Sequence, residues 1–314
     1  MNISDSSEQN STVVAVAEAK KSMNIKYRLS ILLGILITLF LLFKILWSEV
    51  PDFKIYVEEI NPHFYYFLAA GFIFAMIDGA IGMSYGVTST TFALSMGIPP
   101  ASASTAVHLS EVLSNGIAGL MHKRMGNVNK KLLKMLLLPG IIGAVLGAYL
   151  LSSLEHYSHY TKPVVSIYTF ILGAVILIKA FNSRKKDGVK KEKIKKIGLL
   201  GFGGGFIDAV GGGGWGSIVL SSLIAGGRHP RFSLGTVKYS RFFVAALSSL
   251  TFVTMLNTPH WDAIIGLVIG SAIASPIAAR VSNKISAKSI MVAVGIIVVL
   301  VSLRSIFKFA LALF

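Results

Sequence analysis

The sequence predicts an all-α, polytopic membrane protein that contains two homologous repeats. Three observations support this prediction: long apolar segments, few charged residues and an internal duplication. Of the 314 residues, 54% are hydrophobic and 14% are charged, whereas a soluble protein has roughly 25% charged residues. Several apolar segments approach the ~20 residues that a helix needs to cross a hydrocarbon core. A soluble core does not need so many segments of this length.

The basic residues indicate an orientation in a membrane rather than a nucleic-acid partner. The formal net charge is +16, yet the lysines and arginines lie in short stretches between the apolar segments, most densely at 182–197. Cytoplasmic loops of membrane proteins carry such an excess of Lys and Arg. The chain contains no cysteine, which excludes disulfides, thiolate metal sites and cysteine nucleophiles.

Five regions are predicted along the chain. They are a disordered cytoplasmic tail (1–28), a first transmembrane helix with its outer loop (29–63), repeat 1 (64–181), a basic cytoplasmic linker (182–197) and repeat 2 (198–314). Each repeat begins with a glycine-rich stretch, at 64–98 and at 198–230, and continues with three helices. The predicted helices are 101–121, 135–153 and 163–181 in repeat 1, and 231–253, 262–281 and 289–307 in repeat 2.

The two repeats align without a gap when 130 is added to positions 71–120. The identical pairs are Gly71/Gly201, Phe72/Phe202, Ile77/Ile207, Asp78/Asp208, Gly82/Gly212, Gly86/Gly216, Gly97/Gly227, Pro100/Pro230, Val107/Val237, Ser110/Ser240 and Leu120/Leu250. Most of them are Gly, Pro or Asp, which constrain the backbone or carry charge. The same offset matches the small residues Gly140, Ala144 and Ala148 with Gly270, Ala274 and Ala278. Such faces suit close helix packing.

The charges of the loops predict that the repeats have opposite orientations in the membrane. The loop 122–134 is rich in Lys and Arg, whereas its counterpart at 254–262 has none. Inverted repeats predict this exchange, although Arg304 and Lys308 near the predicted outer end depart from it. The topology requires the glycine-rich stretches to be broken, re-entrant hairpins, which leaves seven full crossings. Parallel repeats, in which the hairpins cross the membrane fully, are the alternative.

The glycine breaks at 79–86 and 211–216 predict a binding site for a small anion. Irregular backbone persists inside a membrane only where it is buried in protein or lines a wet cavity. A helix that restarts after the break directs free N–H groups and its positive dipole end at that cavity. The expected binding residues are Ser84, Thr88, Ser89, Thr90, Gly212, Gly213, Gly214, Trp215 and Ser217. Glycines that only allow tight helix packing are the alternative interpretation.

Ionisable residues inside the apolar segments form a second candidate group. His108 and Glu111 share one helix face, and their counterparts at the offset of 130 are Lys238 and Arg241. Buried charge in a membrane is normally paired or functional. In one interpretation, Lys238 and Arg241 attract an anion while Glu111 or His108 carries a coupling proton. In the other, Glu111 and Arg241 form a static pair.

Asp78 and Asp208 precede the two breaks at matching positions. We expect these carboxylates to cap the restarting helices, with ion coupling as the other role.

Enzyme motifs are not supported. Gly211, Gly213 and Gly216 satisfy G-x-G-x-x-G, but no βαβ pattern surrounds them, so a dinucleotide site is excluded. A membrane-embedded enzyme would need a nucleophile beside a base. Ser110 and His108 lie two residues apart and point in different directions on a helix. We therefore predict no catalytic residue, cofactor or metal.

Four motifs of the sequence are similar to those of a known family: Gly82–Thr90, Pro99–His108 with Glu111, Gly126–Val128 and Phe206–Gly216. They resemble the TauE/SafE family of sulfite-exporter-type membrane proteins. The resemblance covers about 64–307 and implies export or uptake of small, often sulfur-containing anions. Polar Asn and acidic Glu are common in the family where this sequence has Lys238 and Arg241, and this departure bears on substrate choice and ion coupling.

The combined prediction is a secondary permease or exporter of small anions such as sulfite or sulfonates, which alternates access between its two repeats. It would lie in the cytoplasmic membrane with its N-terminus inside, in contact with lipid, with proton coupling and without a nucleic-acid partner. A homo-oligomer is compatible with this prediction. A transporter of a neutral or cationic solute is the alternative, and a membrane-embedded enzyme ranks third.

Overall fold

A computed structural model describes residues 44, 48, 59–181, 196–256, 260–281 and 287–311. Lys44 and Ser48 both lie in a helix. The predictions for the tail at 1–28, for most of the region 29–58 and for most of the linker fall outside the described residues. Contacts separate Asn61–Phe314 from Met1–Ile60, and every element named below belongs to the former unit.

The described residues form helices and no strand, which confirms the all-helical prediction for this part of the chain. The helices are α1 (Pro62–Ile81), α2 (Tyr85–Ser95), α3 (Pro100–Arg124), α4 (Lys130–Ser153), α5 (Ser158–Phe181), α6 (Ile197–Gly211), α7 (Ser221–Ala225), α8 (Pro230–Met255), α9 (Trp261–Val281) and α10 (Ala287–Leu311). A 3₁₀ turn (Glu155–Tyr157) precedes α5, and a π-helical segment (Gly216–Leu220) leads into α7.

Prolines and polar caps fix several helix starts close to the predicted positions. Pro62, Pro100 and Pro230 occupy the first turns of α1, α3 and α8, where the missing N–H would have no helical partner. At α4, the side chain of Asn129 accepts a hydrogen bond from the backbone N–H of Leu132 at 3.0 Å. This contact satisfies one of the free donors of the first turn.

Each glycine-rich stretch folds as a longer helix, a break and a short helical segment. α1 ends at Gly82 (φ 80°) and α6 ends at Gly212 (φ 67°), both in the left-handed region that favours glycine. The segment after the first break, α2, has 11 residues and is therefore about 16 Å long. The segment after the second, Gly216–Ala225, is about 15 Å long. Neither short segment can cross a hydrocarbon core of ~30 Å by itself.

Within the described residues, three helical segments are long and apolar enough to cross a membrane: Lys130–Ser153, Glu155–Phe181 and Lys288–Leu311, with mean hydropathies of 2.0, 2.2 and 2.6. Their outer faces expose large aliphatic side chains, as Leu138 (65% exposed) and Leu300 (60%) illustrate. An apolar surface of this kind is expected where side chains face lipid. The protein is therefore a membrane protein.

The helices pack in pairs that the offset of 130 relates to one another. α1 packs against α9 and α4 packs against α6, which is the same contact made once from each half of the chain. α3 packs against α8 and α5 against α10, so equivalent helices of the two halves pack against each other. Glycine allows the close approaches: a Cβ at Gly71 would lie 2.7 Å from the carbonyl oxygen of Leu267, and one at Gly201 would lie 2.8 Å from that of Leu136.

Candidate functional site

The two breaks lie against each other at the centre of the described helices. A Cβ added to Gly86 would lie 2.7 Å from the Cα of Gly213, and one added to Gly216 would lie 3.0 Å from the Cα of Met83. These two contacts are equivalent under the offset of 130. Backbone touches backbone here, and only glycine at positions 86 and 216 permits it.

The helix before each break contains an aspartate whose carboxylate lies at the start of the segment after the break. Oδ1 of Asp78 accepts hydrogen bonds from the backbone N–H groups of Ser84 (2.9 Å) and Tyr85 (3.2 Å). Oδ1 of Asp208 accepts one from the N–H of Trp215 at 2.8 Å. Carboxylates at these positions satisfy free N–H donors and oppose the positive end of the helix dipole.

The second oxygen of each aspartate contacts a basic residue from the other half of the chain. Oδ2 of Asp78 lies 2.7 Å from Nζ of Lys238, and Oδ2 of Asp208 lies 3.1 Å from Nε2 of His108. Both members of one pair map onto the other pair when 130 is added or subtracted. The same contact is thus made twice, once with a lysine and once with a histidine.

Arg241 joins two carboxylates at the centre, those of Asp208 and Glu111. Its Nη1 donates to Asp208 and its Nη2 donates to Glu111, and its side chain is 5% exposed. Glu111 and Arg241 are themselves equivalent positions, so the contact between them maps onto itself when the two halves are exchanged. Because Lys238 and Arg241 both have carboxylate partners, neither is the free cation that an anion-attracting site would need in this conformation.

The contacts of His108 identify a candidate proton site in the cluster. Its Nδ1 lies 2.8 Å from the carbonyl oxygen of Ser104, and its Nε2 faces the carboxylate of Asp208. A carbonyl oxygen only accepts a hydrogen bond, and so does an ionised carboxylate. Both contacts are satisfied when His108 is doubly protonated, or when Asp208 carries the second proton. The His108–Asp208 pair is therefore the candidate proton site of the cluster.

A cavity of ≈ 30 Å³ lies between the breaks and the charged cluster, and its polar lining includes Asp78, Glu111, Asn115, Lys238 and Arg241. It adjoins a larger vestibule of ≈ 440 Å³ that shares Asp78, Asn115 and Lys238 with it.

The vestibule continues to the last turn of α3, where His122 and Met125 line it. The inner end of the vestibule is partly accessible, because the side chains of Lys238 and Asp78 are 18% and 14% exposed. The equivalent pair His108–Asp208 is fully buried. One of the two equivalent pairs is thus open to the vestibule and the other is sealed.

Most of the predicted binding hydroxyls have their protons committed elsewhere. Thr90 donates to the carbonyl oxygen of Gly212 at 2.6 Å, and Ser217 donates to that of Met83 at 2.8 Å. These bonds cross between the two breaks. Thr88 donates within its own helix, to the carbonyl oxygens of Ser84 and Tyr85. The bonds of Thr90 and Ser217 hold the two breaks together, and none of the three hydroxyls directs a donor at a ligand.

Of the predicted binding set, Gly214, Trp215, Lys238 and Arg241 line the central cavity. Ser84, Thr88, Ser89, Thr90, Gly212, Gly213 and Ser217 do not line it. The hydroxyls of Ser84 and Ser89 are buried and have no hydrogen-bond partner in the described part of the chain. The indole N–H of Trp215 is directed at the carbonyl oxygen of Val237 at 3.3 Å.

Asn115 is a site residue that the sequence interpretation missed. Its side chain borders both the cavity and the vestibule, and the residue is only 4% exposed. Its amide has no hydrogen-bond partner among the described residues. The counterpart at the offset of 130 is Ala245, so the duplication drew no attention to it. The signal was its spacing, since Asn115 lies one turn after Glu111 on the same face of α3.

The Ser110–His108 contact that a membrane-embedded enzyme would need does not form, and the described residues contain no metal site. The hydroxyl of Ser110 donates to the carbonyl oxygen of Val107 (2.7 Å) and accepts from the hydroxyl of Tyr85 (2.8 Å), so it is not bonded to His108. No group of three His, Cys, Asp or Glu side chains in the described ranges could hold a metal ion.

Paired helix breaks around a buried ion network, within apolar helices, define a membrane transporter scaffold. The family model described as "Sulfite exporter TauE/SafE" matches residues 67–305, and the chain belongs to this family. It is 39% identical over 203 residues to the "Probable membrane transporter protein YtnM" of Bacillus subtilis (strain 168). That match covers 63% of this chain and 66%, just under two thirds, of the relative. No solved structure matches the chain.

Proposed function

We propose that this membrane transporter is a secondary carrier of small anions that works by alternating access. Sulfite, sulfonates or related sulfur oxyanions are the proposed substrates, since the family description names sulfite. The observation that carries the proposal is the vestibule, which leads from one end of α3 to the Lys238 ammonium beside the start of α2. A solute that enters it reaches the Lys238 ammonium beside the first helix break. It also reaches the Asn115 amide on α3, which has no hydrogen-bond partner among the described residues.

The anion would bind at the inner end of the vestibule, between Lys238 and Asn115. Asp78 competes for Lys238, but it keeps two backbone N–H donors when the lysine moves away. The release of Lys238 therefore costs less free energy than the release of a cation from a carboxylate with no other partner. The amide of Asn115 adds N–H donors, which suit the oxygens of a small oxyanion.

A proton is the proposed coupling ion, and His108 with Asp208 is its proposed carrier. The pair is surrounded by Arg241 from α8 and by Glu111 from its own helix, and Phe252 packs its ring 5.7 Å from the His108 ring. A proton gained or lost there changes the charge balance of the whole network. Linkage to the anion would act through the central cavity, which both Lys238 and Arg241 line.

Inverted repeats, which the loop charges favour, are the proposed device for alternating access. Transporters of this design exchange the environments of their two halves around a fixed site. Here the Lys238–Asp78 pair is partly exposed while the equivalent His108–Asp208 pair is sealed. In the opposite state, the sealed pair would become accessible and the vestibule would close.

The orientation follows from the loops. The vestibule opens near the end of α3, next to the basic loop 122–134, and basic loops lie on the cytoplasmic side. We therefore place the vestibule opening and the N-terminus in the cytoplasm, and the protein in the cell membrane.

Anion flux into proteoliposomes tests the proposal. We expect uptake of radiolabelled sulfite or of a sulfonate by the parent chain, with a loss of at least tenfold in Lys238→Gln and a smaller loss in Asn115→Ala. Lys131→Gln is the matched control, because this exposed lysine lies in the first turn of α4, away from the cavity. Parent vesicles that take up no more of any tested anion than empty vesicles would refute the proposal.

A neutral or cationic solute is the second candidate. The carboxylates of Asp78, Glu111 and Asp208 outnumber Lys238 and Arg241 when His108 is uncharged, which favours a cation over an anion. Proteoliposomes that accumulate an organic cation and no anion would select this candidate.

A further inference from the structure

A second cavity lies at the opposite end of α3 from the vestibule opening. Its volume is ≈ 240 Å³, and it is formed by the end of α2, the first turns of α5 and the last turns of α10. Leu94 and Ser95 of α2 line it, and they lie a few residues before the start of α3. The vestibule, by contrast, reaches the last turn of α3. This basic cavity, as we name it from the residues below, is separate from the proposed transport site.

Four basic side chains line the basic cavity: His159, Lys162, Arg304 and Lys308. No Asp or Glu is part of its lining. In the ranges that the structure describes, the side chains of Lys162, Arg304 and Lys308 form no ion pair and no hydrogen bond. Lys162 and Lys308 are close enough to repel each other. Such a cluster attracts an anion.

The cavity also has an apolar part that continues into the membrane region. Pro163, Val301 and Phe309 contribute to its lining. An adjoining apolar crevice of ≈ 70 Å³ shares Ser95 and Val301 with it and runs between α1, α2 and α10. A basic mouth thus leads into a narrow apolar channel, and the combination has the polarity of a lipid rather than that of a free ion.

We propose that the basic cavity binds an anionic phospholipid. The phosphodiester would lie among Lys162, Arg304 and Lys308, and an acyl chain would extend along the crevice beside Val301. Anionic headgroups are recognised by basic pockets between transmembrane helices. The bound lipid would hold α5 and α10 together at this end. It would also explain why Arg304 and Lys308 lie at the end of the protein where the loop charges predict few basic residues.

Lipid-dependent thermal unfolding of the purified, delipidated full-length chain tests the inference. Short-chain phosphatidylglycerol, short-chain phosphatidylcholine and inorganic phosphate are added separately. We expect phosphatidylglycerol to raise the unfolding temperature more than phosphatidylcholine does. A basic residue near a membrane surface contributes about fivefold to the affinity for an anionic lipid. Lys162→Gln/Lys308→Gln should therefore weaken the apparent affinity for phosphatidylglycerol by roughly 25-fold.

Lys130→Gln/Lys131→Gln is the matched control. It removes two positive charges from the first turn of α4, outside the basic cavity, and should respond to phosphatidylglycerol like the parent chain. If the Lys162/Lys308 double variant fails to fold, Arg304→Gln, at an exposed position, is tested alone and should weaken the affinity by about fivefold. A pocket variant that responds to phosphatidylglycerol like the parent would overturn the site. Inorganic phosphate that stabilises the parent as strongly as phosphatidylglycerol would overturn the lipid in favour of a free phosphate ion.

Discussion

The substitution Arg241→Gln removes the cation that lies between two buried carboxylates. Arg241 is 5% exposed at its side chain, and its partners Glu111 and Asp208 are 7% and 0% exposed. Glutamine keeps hydrogen-bond donors but carries no charge. Asp208 retains His108 and the N–H of Trp215, whereas Glu111 retains no other hydrogen-bond donor among the described residues.

The loss of one partner from a buried ion pair costs about 3–5 kcal/mol. In a chain of this size, each kcal/mol changes the unfolding temperature by roughly 2 °C. Arg241→Gln should therefore lower the unfolding temperature by about 6–10 °C. Lys238→Gln should cost only about 1–2 kcal/mol, because Asp78 keeps its backbone donors and borders the vestibule.

Thermal unfolding of the variants in detergent measures this difference. The double variant Glu111→Gln/Arg241→Gln is the informative companion, since it removes the stranded carboxylate together with its cation. We expect it to recover about half of the stability that Arg241→Gln loses. If Arg241→Gln is as stable as the parent chain, or if the double variant is no better than the single one, the ion-pair reasoning is wrong.

Three further predictions follow from the same contacts. His108→Gln should abolish the proton movement that accompanies anion flux, measured with a pH-sensitive dye in proteoliposomes; unchanged proton movement would remove His108 as the carrier. Gly86→Val should impair transport and lower the unfolding temperature more than Gly203→Val does, because a Cβ at position 86 would lie 2.7 Å from the Cα of Gly213, whereas position 203 is open and its backbone is not left-handed. Thr90→Val loses one hydrogen bond and should cost about 1 kcal/mol, measured as a change of roughly 2 °C.

Much of the helical architecture was predictable from local rules. Pro100 and Pro230 mark helix starts, and Gly82 and Gly212 mark the two breaks, because these residues restrict or permit backbone angles regardless of tertiary context. The duplication also identified Asp78 and Asp208 as equivalent before any contact was known.

The contacts of the charged residues were less predictable. The sequence offered a Glu111–Arg241 pair as one of two interpretations. It did not show that Lys238 pairs with Asp78 or that Arg241 also contacts Asp208, because those contacts depend on how the helices cross. The roles of the hydroxyls depend on the same crossing, since Thr90 and Ser217 bond to the opposite break. Asn115 was missed because its spacing from Glu111 is a weak signal without a counterpart in the other repeat, and the lack of a hydrogen-bond partner among the described residues is visible only in three dimensions.

Equilibrium binding of radiolabelled sulfite to the purified protein tests most directly whether Lys238 holds the substrate. We expect saturable binding to the parent chain and to Lys131→Gln, and an affinity at least tenfold weaker for Lys238→Gln, with the unfolding temperature of that variant lowered by no more than a few degrees. Equal affinity of Lys238→Gln and the parent chain would contradict the proposed site, and the absence of saturable binding to the parent would contradict sulfite as the substrate.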